Sequence, residues 1–231
     1  MIKELTFFAG ALALSTTHAG VIKGSSALLD AQGIAQMEAW IGKGELTMTN
    51  LFTKTPSQST AKAFHEAIDD RGAAFVVFNA SEDNGLTWKT IGGYRPDGWT
   101  AKYHYSDYYL PRDTFIFNLT NREKREMVRP YMTNNHLGYG PFFEADFSVL
   151  ADLTRGSSRS YFYGNLPNHR SLLDSSRPAA TFIVRELEVF GLNPYEPTKP
   201  DNQVPEPASL ALLGAGLLGL TWVRRRKSPV G

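Results

Sequence analysis

The sequence predicts an α+β fold, mainly β: a two-sheet antiparallel β-sandwich with flanking helices, plus one C-terminal transmembrane helix. Three observations carry this expectation. Two stretches near the start of the body hold apolar residues at helical spacing. From residue 73 onward, short apolar or alternating runs are cut by Gly, Asn and Pro turns, the texture of an antiparallel sandwich. Residues 208–223 then run without a charge and close on four basic residues.

Taken in order, Leu28, Ile34, Met37 and Ile41 make one apolar stripe that Gly42 and Gly44 stop. Thr55-Pro56 or Ser59 opens the second helix, Phe64 and Ile68 stack one turn apart, and Gly72 ends it. Ala73–Phe78 reads as a buried strand, Glu82–Gly85 as a turn and Leu86–Tyr94 as the returning arm. Thr114–Leu119, Phe147–Leu153, Ser160–Tyr163 and Thr181–Phe190 are the remaining strands, with Gly156-Ser157-Ser158 read as a turn. Gly92-Gly93 inside a strand predicts a bulge or a close backbone approach.

A chain of 231 residues is long enough to bury a core of its own. The formal charge of +1 hides an uneven distribution. Lys3 and Glu4 cancel, and Arg224, Arg225, Arg226 and Lys227 carry four positive charges, which leaves 19 basic against 22 acidic groups elsewhere. A mildly acidic body does not suit phosphate neutralisation, so no nucleic-acid partner is expected. With no cysteine, disulfides, thiolate metal sites and a cysteine nucleophile are excluded.

Residues 1–19 have the layout of a secretory signal peptide: Lys3 near the start, an apolar run from Leu5 to Leu14, and small residues before a cut between Ala19 and Gly20. Residues 20–192 form the body and 193–203 a linker rich in Pro and Asn. The sixteen uncharged residues of 208–223 would span about 24 Å as a helix, somewhat less than a hydrocarbon core of roughly 30 Å. The basic cluster that follows stays in the cytoplasm, so the body lies outside. Signal and tail, read separately, give the same topology.

Pro205-Glu206-Pro207, the short apolar segment and the terminal basic cluster together resemble the PEP-CTERM sorting signal, over about residues 204–227. The resemblance implies an exported protein of a Gram-negative bacterium, anchored in the inner membrane with its body in the periplasm. An exosortase partner would cut near the tripeptide, after which the product would move to the cell surface or matrix. It also implies a link to exopolysaccharide and biofilm. Within the body, Ile91-Gly92-Gly93-Tyr94 with Trp99, then Thr114–Leu119, Leu137-Gly138-Tyr139-Gly140 and Phe182–Phe190 resemble a TLD (TLDc) domain over about residues 46–192. That resemblance implies a two-sheet sandwich acting as a binding or regulatory module, with no cofactor and no catalytic constellation. Pro141–Asp146 departs from the glycine-rich stretch that many members carry at this point.

Direct signatures of chemistry are sparse. The five histidines show no metal-ligand spacing, so no metal is expected, and no nucleophile elbow or phosphate loop occurs. Glu186 and Glu188, two apart on a strand, share a face about 7 Å apart, near the separation of glycosidic acid–base pairs. The plainer reading is a solvated strand face. Trp99, Tyr103, Tyr105, Tyr108 and Tyr109 could form a stacking platform for sugars or could plug the sandwich. The expected function is therefore a non-enzymatic surface or matrix component. A carbohydrate-binding module and a glycan-processing enzyme using Glu186 and Glu188 are the alternatives.

Overall fold

A computed structural model describes residues 20–100, 113–129, 137–144, 146–164, 166 and 170–194. The elements follow the chain as β1 (Val21–Lys23), α1 (Ala31–Ile41), β2 (Leu46–Thr53), α2 (Ala61–Ile68), β3 (Ala74–Ser81), β4 (Lys89–Arg95), β5 (Phe115–Asn118), β6 (Glu123–Glu126), β7 (Tyr139–Phe143), β8 (Phe147–Leu150), β9 (Arg155–Ser158) and β10 (Ala180–Pro194). Asp30 caps α1 by accepting from the Gly33 N–H, and Gly42 ends it in the left-handed conformation, as its position predicts. The second helix begins later than expected. Thr60, and neither Thr55-Pro56 nor Ser59, accepts from the Ala63 N–H, and the helix ends at Asp69 before Gly72 is reached.

The strands form one hydrogen-bonded sheet in the order β6-β5-β4-β3-β10-β9-β8-β7, with β2 also paired to β10 and β1 to β2. All pairs are antiparallel except β1 with β2. The fifteen-residue β10 is the hub. One edge follows β3, while the other pairs with β9 at its start and β2 at its end. In place of the expected pair of sheets, one hydrogen-bonded sheet runs through β10.

Two apolar cores lie on opposite sides of β3. Val76 and Phe78 belong to the core shared with Phe143, Phe147 and Val149 of β7 and β8 and with Phe64 and Ile68 of α2. Phe75 and Val77 belong to the core shared with Met37 of α1, Leu46 and Met48 of β2, and Phe190. The expected close approach at Gly92-Gly93 is what lets this packing form. A Cβ at Gly93 would stand 2.5 Å from the Phe143 ring, and one at Gly92 would fall on the Val76 carbonyl oxygen.

Several strands escaped the sequence reading. Leu46–Thr53 is a strand whose alternation is broken by a bulge: Phe52 pairs with Val189 and Asn50 with Phe190, so Leu51 is the extra residue. Leu46 and Met48 therefore enter one core and Phe52 the other. Gly156-Ser157-Ser158 belongs to β9 rather than to a turn, and a Cβ at Gly156 would stand 2.5 Å from the Phe182 ring. Ser160–Tyr163 forms no strand beyond the bridge of Tyr163 to Met127. Among the described residues no helix is long and apolar enough to cross a membrane. The expected transmembrane segment, the signal peptide and the sorting residues Pro205, Glu206, Pro207, Arg224, Arg225, Arg226 and Lys227 lie outside the described residues.

Candidate functional site

Glu186 and Glu188 do not sit on a regular strand. Val184 pairs with Ala80 and Leu187 with Phe78, so Arg185 and Glu186 occupy a bulge opposite Asn79. Glu186 accepts from the Asn79 amide at 2.9 Å and from Arg185 at 2.7 Å. Burial pushes its carboxyl up, but those hydrogen bonds outweigh burial and leave it below the ordinary value. A general acid requires the opposite shift. Glu188 is 3% exposed and spends both oxygens on the N-terminal segment, accepting from the Ser26 hydroxyl at 2.6 Å and the Ala27 N–H at 2.8 Å. These bonds tie β10 to β3 and to the segment before α1.

The proposed aromatic platform is corrected at its first member. Trp99 is 2% exposed, with edge contacts to Phe64 at 5.9 Å and Phe143 at 6.1 Å and the Arg95 guanidinium 5.6 Å from its ring. A sugar has no access to that ring. Tyr103, Tyr105, Tyr108 and Tyr109 lie outside the described residues.

The segment that departs from the family pattern is built into the fold. Pro141 and Phe143 lie in β7, and the Phe143 ring packs 4.6 Å from that of Phe147. Asp146 is fully buried and its carboxylate accepts the N–H groups of Tyr161 (2.8 Å), Phe162 (2.8 Å) and Tyr163 (3.0 Å). Burial nevertheless pushes this carboxyl up to about 6, against the pull of those donors and of Arg125. The burial of Asp146 is set by a segment fifteen residues away.

A polar cleft of about 290 Å³ opens between α1 and the β5–β6 turn. Gln32 and Gln36 line it from one turn of α1, with Asp30 at the cap, while Thr90, Thr120 and Arg122 face them. The far wall is pinned: Thr90 N–H donates to the Thr120 hydroxyl at 2.8 Å, and Leu119 N–H to the Thr90 carbonyl at 2.8 Å. Leu28 and Leu119 supply apolar lining. The sequence signal was available in part, because Gln32 and Gln36 are four apart and off the Ile34, Met37 and Ile41 stripe. Arg122, in a left-handed turn, gave no signal. Among the described residues no three His, Asp or Glu side chains converge in a way that could hold a metal ion.

Comparison with known proteins matches these features to two models. The PEP-CTERM protein-sorting motif matches residues 203–227. The TLDc domain matches residues 22–193, extending the resemblance from Leu46 back through α1 and β1. No curated protein matches the chain significantly. The sorting motif marks an exported, membrane-anchored protein of a Gram-negative bacterium that an exosortase processes. With the described fold and a match across most of its length, the chain belongs to the TLDc domain family.

Proposed function

We propose that this TLDc protein is a non-enzymatic component of the cell surface or extracellular matrix, linked to exopolysaccharide. Its C-terminal segment holds the body on the periplasmic side of the inner membrane until an exosortase cuts near Pro205-Glu206-Pro207. The observation that carries the reading is the order of the two matches: the domain ends at residue 193 and the sorting motif begins at 203. The two prolines keep the junction extended and free of helix, which suits a protease that needs the backbone. Deleting Val204–Gly231 is expected to release the body as a soluble protein into the periplasm or medium, read by cell fractionation. A deleted form that still sediments with membranes refutes the anchor.

A carbohydrate-binding module is the second reading, and the cleft beside α1 favours it over the Trp99 surface. Its lining offers amides, hydroxyls, one anion and one cation around two leucines, a mixture that suits vicinal hydroxyls above an apolar sugar face. Titration with the producer's own exopolysaccharide tests it. Arg122→Ala and Gln36→Ala are each expected to weaken binding about fivefold, and unchanged binding removes this surface. Catalysis by Glu186 and Glu188 receives less support, since both carboxylates are engaged in the sheet. Unaltered turnover of a labelled polysaccharide by Glu186→Gln, Glu188→Gln protein would dismiss it.

A further inference from the structure

Glu38 stands on α1 with its carboxylate turned toward the first described residue. Its Oε2 accepts from the Gly20 nitrogen at 3.0 Å, and its Oε1 accepts from the Leu46 N–H at 2.8 Å. Among the described residues no Lys or Arg forms an ion pair with it, although eight other ion pairs do form. The carboxylate is thus half-buried with two nitrogen donors and no cation. Gly20 is also the residue that the sequence places first after signal removal.

The position is tight for any residue larger than glycine. A Cβ on residue 20 would fall on Glu38 Oε1 and stand 2.6 Å from the Leu46 carbonyl oxygen. An α-ammonium there meets a carboxylate already aimed at it. We propose that Glu38 is a receptor for the α-ammonium group that cleavage after Ala19 creates on Gly20. Cleavage by water breaks the Ala19–Gly20 amide. It leaves a carboxylate on the released signal and, at neutral pH, a protonated amine on Gly20. One neutral N–H donor becomes a charged group with three hydrogens, and hydrogen bonds from ionised donors are about twice as strong as neutral ones.

The consequence is structural. β1 is a three-residue edge strand paired in parallel to β2 alone. Glu38 ties its beginning to the beginning of β2 and to α1, so the newly cut terminus locks the edge that export has just delivered. The chain before cleavage carries the weaker, uncharged form of the same contact.

The proposal rests on the export reading, and two measurements separate their failures. Three full-tail chains are compared in detergent micelles: Gly20–Gly231, Ala19–Gly231, and Gly20–Gly231 acetylated at its amine. The free Gly20 chain is expected to melt about 3 °C above the other two. Glu38→Gln keeps an acceptor for Leu46 while removing the charge, and is expected to abolish that difference. Equal melting of the three chains, or a difference that survives Glu38→Gln, overturns the receptor. Intact mass of the protein from its native host supplies the second reading. A start at Gly20 supports the assignment, a start elsewhere overturns it, and retention of residues 1–19 overturns export by this signal as well.

Discussion

One side of the β3-β4-β5 surface is covered by β7, β8 and α2 and the other by α1, and the two covers leave different surfaces behind. On the strand side β7 and β8 approach closely enough for the Phe143 ring to rest against Gly93, and the core is continuous from Phe52 to Val189. Backbone can come this near only where side chains are missing or flat, which is why glycines face aromatic rings here. On the helix side Met37 is the one large residue of α1 that is fully buried, while Ile34, Trp40 and Ile41 pack at the margin. A cylinder laid on a sheet cannot fill its own flanks, and the polar cleft lies along that flank. The polar cleft and the closest approach of backbone to aromatic rings thus lie on opposite faces.

Substitutions that empty each cover sharpen the contrast. Phe143→Ala is expected to cost about 4 kcal/mol in urea denaturation and to lower cooperativity throughout, because the ring touches Trp99, Phe147 and Tyr163. Met37→Ala should cost about 3 kcal/mol, with hydrogen exchange accelerating first in α1 and β2. If both variants loosen the same amides, the faces are not separable and the comparison breaks.

Asp146 probes the strand side through pH. Its carboxyl rises from an ordinary value near 3.8 to about 6, so the folded state favours the protonated form. The stabilisation is complete below about pH 4 and is lost as pH rises through about 6, a span of about 2 to 3 kcal/mol. Urea midpoints at pH 4, 5, 6 and 7 should show that decline, and Asp146→Asn should flatten it. A decline that persists in the variant assigns it to another group. The smallest effect is expected at the edge of the same face. Thr60→Ala removes the cap of α2 and should cost about 1 kcal/mol, without altering exchange in α1.

Legibility in the sequence followed locality. The α1 stripe and its Gly42 stop were readable because cap and period lie within one short segment. Phe64 and Ile68 were readable as core for the same reason. β3 and β5 announced themselves as apolar runs, whereas β6, with four charged residues, did not. β2 and β9 were hidden by a bulge and a glycine, each resolved only by the partner strand. What the sequence could not show of the candidate carboxylates is their partners, since Asn79 and Arg185 engage Glu186 while Ser26 and Ala27 engage Glu188.

The sequence by itself determined that the chain is a TLDc body followed by a sorting signal, because a tripeptide, an apolar run and a basic cluster are read in order along a line. Tertiary structure decided which side chains are free to act. Trp99 was assigned to the core by Phe64 and Phe143, Glu188 was occupied by Ser26 and Ala27, and Glu38 was brought to Gly20 by the turn of α1 into β2. Burial and pairing are properties of residues distant in the chain, and no local pattern carries them.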